Sequence, residues 1–141
     1  MARILVVDDE RSIRTAFAAF LEEDGHTAVS AATATEALDI LKASDFDVVI
    51  SDIIMPELSG VELLERLRAA SEDLQIIMIT GQPSVETAAE AVRLGAFDYL
   101  SKPIQGQTIV DVVNRAVKVR QLILENRRLS NENQNYQLHL E

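Results

Sequence analysis

The chain has 141 residues, 48% apolar and 26% charged, enough for one domain with a full core and little more. Its net charge of −10 is unevenly placed: residues 1–104 carry 8 Lys and Arg against 19 Asp and Glu, and residues 105–141 carry 5 against 4. The globular part therefore lacks a basic footprint for nucleic acid. The absence of cysteine excludes disulfides and thiolate metal sites. The apolar run that follows Met1-Ala2-Arg3 is too short for a signal peptide or a membrane span, so a cytoplasmic protein without membrane contact is expected.

Strand-like and helix-like patterns alternate. Arg3-Ile4-Leu5-Val6-Val7 reads as a strand running into Asp8-Asp9. Ile13, Phe17, Phe20 and Leu21 then share one helical face, and Gly25 closes that helix. His26 to Ser30 is a short second strand, with His26 a structural residue. Thr33 with Glu36 forms a capping box, and Ala37, Leu38 and Leu41 face inward. Phe46 to Ile50 is apolar and β-branched, as in a strand buried on both faces, and the run ends on Asp52 before Pro56 and Gly60 break the chain. Ser59 with Glu62 caps a third helix whose buried stripe is Leu63, Leu64 and Leu67. Gln75 to Ile79 leads to Thr80-Gly81. Ser84 starts a fourth helix whose Val85, Ala88, Ala89 and Val92 are expected to face the core, ending at Gly95. Ala96 to Leu100 is a fifth strand, followed by Ser101-Lys102-Pro103.

This alternation predicts an α/β fold: a doubly wound parallel sheet with right-handed crossovers and helices on both faces. Ligands of such sheets bind outside the carboxyl ends of the strands. That places Asp8, Asp9, Asp52, Thr80 and Lys102 on one rim. Any one of them alone is an ordinary strand-end residue. Three carboxylates so close repel one another, and burial raises their pKa values unless a cation sits among them. Oxygen-only ligands suit Mg²⁺, with Mn²⁺ as a substitute.

An acid pair after strand one, Asp52 after strand three, Thr80 after strand four and Lys102-Pro103 after strand five resemble the receiver domain of two-component response regulators. The likeness covers residues 1 to about 120. It implies a flavodoxin-like five-stranded sheet of order 2-1-3-4-5. It also implies that Asp52 is the nucleophile that accepts a phosphoryl group from a sensor histidine kinase. By the same resemblance Asp9 binds Mg²⁺ directly, Asp8 does so through water, and the Ile54 carbonyl is a further ligand. Thr80, Lys102 and the N–H groups of Ile53 and Gly81 would hold the phosphoryl oxygens, and Lys102-Pro103 would be a cis peptide. Thr80 and Tyr99 match the family's switch pair, which biases the surface formed by the fourth helix, fifth strand and fifth helix. Ile54 and Gln82 occupy the positions that set the lifetime of the phosphorylated state. Apolar Ile54 cannot orient a water, so slow self-dephosphorylation is expected. A haloacid dehalogenase-type phosphohydrolase is the competing enzyme reading, but it wants a second Asp where this chain has Ile54. A single-domain regulator and a pseudo-receiver dimerisation module compete as non-enzymatic readings. No motif for a turnover enzyme is found.

After Gly106 no helix breaker occurs, so one helix is expected to run to the end, with Ile109, Val113, Ala116 and Val117 against the sheet. Residues 121–141 read as a linker. Heptads place Val119, Asn126, Asn133 and Leu140 at a, and Leu122, Leu129 and Tyr136 at d. Leu at d with Asn at a favours a parallel two-stranded coiled coil, hence a homodimer. Neither a phosphate-binding loop nor a helix-turn-helix follows, so an output domain outside this sequence is expected, and Leu140-Glu141 fit either a native end or a cloning scar.

Overall fold

The computed structural model describes residues 1–56 and 58–140, with side chains in the last helix as far as Glu132. Three central strands are almost continuously apolar because helices cover both faces of the sheet. They are β1 (Arg3–Val7), β3 (Val48–Asp52) and β4 (Gln75–Thr80), flanked by β2 (Thr27–Ala31) and β5 (Asp98–Ser101). All pair in parallel, in the order β2-β1-β3-β4-β5. Alternation along the strands sends Leu5, Val7, Val49, Ile76 and Met78 to one core, with Leu63, Leu64 and Leu67 of α3 (Gly60–Ala70) and Ala37 of α2 (Ala34–Ala43). Ile4, Val6, Val48, Ile50, Ile77 and Ile79 face the other, with Phe17 and Leu21 of α1 (Arg11–Glu23) and Ile109, Val112, Val113 and Ala116 of α5 (Gly106–Leu140).

Local chemistry sets the element ends. The Thr33 and Ser59 hydroxyls accept the N–H groups of Glu36 and Glu62, as their capping boxes require. The Glu36 carboxylate reaches back to the Ala32 N–H. Gly25 closes α1 at φ +93°, a conformation costly for any residue with a Cβ. Gly60 is needed for a different reason. A Cβ there would press on the Ile53 Cα and lie 2.7 and 2.8 Å from the Ile53 and Asp52 carbonyl oxygens.

The outer elements depart from expectation. β2 begins at Thr27 rather than His26. β5 begins at Asp98 rather than Ala96, because the Ala96 N–H still bonds the Ala91 carbonyl in the cap of the preceding helix. That helix, α4 (Val85–Arg93), is also turned relative to the expected face. Ala91 is buried, Ala88 is half-buried and Ala89 is exposed, while Val85 and Val92 are 86% and 77% exposed. Apolar residues occupy two neighbouring faces of α4, and the smaller one, Ala88-Ala91-Leu94, is the one that packs. Among the described residues no helix is long and apolar enough to cross a membrane.

Candidate functional site

The sheet brings the ends of β1 and β3 side by side, with Val7 paired to Ser51, so Asp8 and Asp52 meet at one edge. Both carboxylates are built in alike. Asp8 Oδ1 accepts the Glu10 N–H at 2.9 Å, and Asp52 Oδ1 accepts the Ile54 N–H at 2.9 Å. Lys102 Nζ then bridges the remaining oxygens, donating to Asp8 Oδ2 at 2.9 Å and to Asp52 Oδ2 at 2.8 Å. The Arg14 guanidinium holds the Asp8 carbonyl at 2.7 Å. Asp9 is exposed, but one of its carboxylate oxygens completes a group with Asp8 and Asp52 in which all three lie within 4.8 Å.

The charges of this rim do not cancel: three carboxylates face one ammonium. Asp8 is fully buried, and that burial raises its carboxyl above the usual value, beyond what the Glu10 N–H and Lys102 recover. Burial also disfavours the Lys102 cation, yet hydrogen bonds to Asp52 and Asp8, with their charges, hold its pKa above the usual lysine value. The Lys102-Pro103 peptide is cis. An all-oxygen donor set with two negative charges left over fits a hard divalent cation.

The surrounding positions fall as follows. Thr80 is buried, and its hydroxyl accepts the Gln82 N–H at 3.0 Å. Gly81 is exposed, and an added Cβ there would meet nothing nearer than Lys102 Cδ at 4.0 Å. Ile54 is 51% exposed beside the carboxylates. The Ile53 N–H, expected at the phosphoryl oxygens, instead donates to the Ile79 carbonyl at 2.9 Å. Continuation of the β3–β4 ladder past Asp52 consumes it, and the amide that meets Asp52 is that of Ile54. Half-buried Tyr99 is tied to α4: its hydroxyl accepts the Ser84 N–H at 3.2 Å and lies 2.6 Å from Thr87 Oγ1. Sequence reasoning missed Thr87 and Arg14. Thr87 stands three residues after the N-cap Ser84, a spacing that carried a signal, whereas nothing in the sequence ties Arg14 to a carbonyl six residues back.

Along the outer part of α5, Val119, Leu122 and Leu129 are 36%, 61% and 45% exposed. The side chains of Asn133, Tyr136 and Leu140, and Glu141 as a whole, lie outside the described residues.

The pattern of the response regulator receiver domain matches residues 4–114. The chain is 39% identical to the C4-dicarboxylate transport transcriptional regulatory protein DctD of Rhizobium meliloti, over 89% of this chain and 27% of that protein. NtrX from Brucella abortus, solved with ATP, superposes with a TM-score of 0.86 at 35% identity, covering 91% of this chain and 29% of that one. The beryllofluoride-activated NtrC4 receiver domain dimer superposes with a TM-score of 0.81 at 37% identity, covering 85% of this chain and 99% of that one. The chain thus spans between a quarter and a third of the length of the multidomain relatives. An acid pair, a strand-end aspartate and a bridging lysine assembled on a parallel sheet agree with that match, and the chain belongs to the response regulator receiver domain family of two-component signalling.

Proposed function

We propose that Asp52 accepts a phosphoryl group from a phosphohistidine of a sensor kinase. The observation that carries this reading is the Lys102 ammonium held jointly by Asp8 and Asp52 in a pocket with charge to spare. In the transfer, an Asp52 oxygen forms a bond to phosphorus as the P–N bond to the donor imidazole breaks, and the imidazole takes up a proton. Lys102 stays beside the developing charge, and the Thr80 hydroxyl with the Ile54 and Gly81 N–H groups is placed to receive the phosphoryl oxygens. Asp8, Asp9 and Asp52 with the Ile54 carbonyl would hold Mg²⁺ or Mn²⁺, which when bound neutralises charge on those oxygens.

Withdrawal of the Thr80 hydroxyl from the Gln82 N–H would loosen the loop into α4, where Ser84 and Thr87 hold Tyr99. The exposed stripe Val85, Ala89 and Val92 is the surface that this change would present. Residues 1–120 serve as the receiver and 121–141 as a linker. A seam that starts at Val119 in the receiver's last turn and runs through Leu122, Asn126 and Leu129 zips two copies in parallel, with Asn133 and Tyr136 continuing it. Turnover is not part of this role, since only Asp52 itself is modified. Incubation with acetyl phosphate and Mg²⁺ followed by intact mass tests the reading. One adduct, lost in Asp52→Asn, is expected, and multiple turnover without an adduct would sink it. Sedimentation of Leu122→Lys against the parent tests the dimer, with dissociation expected.

A further inference from the structure

A second cation is held between two carboxylates at the opposite edge of the sheet. Among the described residues Ala116 is the last fully buried one of α5, and Arg120, one turn later, faces back toward the strands. Its Nη1 donates to Asp47 Oδ1 at 2.7 Å and its Nη2 to Asp73 Oδ2 at 3.3 Å. Asp47 immediately precedes β3, and Asp73 stands two residues before β4. The guanidinium therefore spans the N-terminal ends of the two strands whose C-terminal ends carry Asp52 and Thr80.

Each carboxylate is also fixed independently. Asp47 Oδ2 accepts the Arg3 N–H at 2.8 Å, and Asp73 Oδ1 accepts the Ser71 hydroxyl at 2.9 Å. The side chains of Arg120, Asp47 and Asp73 are only 20%, 28% and 17% exposed. Burial pushes the Asp73 carboxyl up, but the Ser71 hydroxyl, a backbone N–H and the charges of Arg120 and Arg127 outweigh it and hold it below the usual carboxylate value. Arg120 Nε is buried without a partner, so the group sits where its two carboxylates require rather than where its own solvation is best. Arg120 also lines a cleft of about 330 Å³ whose walls include Leu41, Leu67 and Leu74. Among the described residues Arg128, in contrast, pairs with Glu125 and Glu132 of its own helix, more than half exposed.

Helical geometry gives this contact a consequence. Arg120 continues the stripe Ile109-Val113-Ala116 that faces the sheet, whereas Val119, Leu122, Asn126 and Leu129 lie between about a third and half of a turn around the helix. Beyond Arg120 the helix runs roughly 30 Å, so a tilt of about 10° at its root moves the far end by about 5 Å. We propose that Arg120, clamped between Asp47 and Asp73, is the joint that fixes the angle at which the linker helix leaves the receiver and hence the direction in which its seam meets a second copy. It acts as a positioning residue, far from the phosphoryl pocket. The dimer part of this inference rests on the proposed function, but the clamp belongs to a single chain.

The chain has no cysteine, so spin labels can be placed cleanly at the exposed positions Glu65→Cys on α3 and Asn131→Cys on α5. Distances are read by pulsed dipolar spectroscopy in the full chain, diluted with unlabelled protein. The parent is expected to give one narrow distribution. Arg120→Met and, separately, Asp73→Asn should at least double its width, with Arg120→Lys intermediate because an ammonium cannot fork to both carboxylates. Beryllofluoride affinity should stay within twofold of the parent, since the pocket at the other edge is intact. An unchanged width in Arg120→Met and Asp73→Asn overturns the proposal, as does a broadened width accompanied by loss of beryllofluoride binding. A monomer in sedimentation removes the dimer reading while leaving the distance test of the clamp in force.

Discussion

The two edges of the sheet carry the same device to different ends. At the carboxyl edge Lys102 lies between Asp8 and Asp52, and at the amino edge Arg120 lies between Asp47 and Asp73. At the carboxyl edge a third carboxylate, Asp9, joins the cluster, and burial holds the Asp8 carboxyl above its usual value, so the arrangement still calls for positive charge. At the amino edge the Asp73 carboxyl is held below its usual value because Ser71 and Arg120 complete its coordination. At the carboxyl edge three carboxylates face one ammonium, whereas at the amino edge two carboxylates share one guanidinium and the Arg127 charge also acts on Asp73.

The sharpest way to break this contrast is Lys102→Met. Removing one partner of a buried pair costs about 3–5 kcal/mol, and in this pocket Mg²⁺ should restore part of the loss in thermal melts. Labelling by acetyl phosphate should slow about a hundredfold. Gly60→Ala comes next. The added methyl pushes on the backbone of Asp52 and Ile53, so about 1–3 kcal/mol of destabilisation is expected together with weaker labelling. Thr87→Val, nearly isosteric, removes the hydroxyl beside Tyr99 and should cost about 1 kcal/mol. Faster amide exchange at Ser84, whose N–H is donated to that tyrosine, would report it. The smallest effect belongs to the amino edge. A carboxyl whose folded pKa is depressed stabilises the fold fully above its unfolded value, near 3.8, and less as pH falls through the lower folded value. The melting-temperature gap between parent and Asp73→Asn should therefore be constant from neutral pH down to about 5 and close below 3.8, amounting to no more than about 1 kcal/mol.

The central sheet was legible because β1, β3 and β4 are apolar on both faces, β1 runs directly into Asp8, and β3 and β4 end on Asp52 and Thr80. Asp8, Asp9, Asp52 and Lys102 could be grouped in advance because parallel order carries all strand ends to one edge. The face of α4 could not, because Val85, Ala89 and Val92 satisfy the same helical period as the residues that do pack, and a surface stripe and a core stripe look alike in one dimension. Assignment of the Ile53 N–H failed for a related reason: whether the ladder continues one step past Asp52 depends on β4, not on local sequence. Arg120 gave no signal at all, since its partners lie 73 and 47 residues away.

The account's main claim is tested most directly by ¹⁹F NMR of the chain with Mg²⁺ and beryllofluoride. Protein-bound fluoride resonances are expected in the parent and in Arg120→Met, and should vanish in Asp52→Asn. Bound resonances that survive in Asp52→Asn, or a parent that shows none, would contradict it.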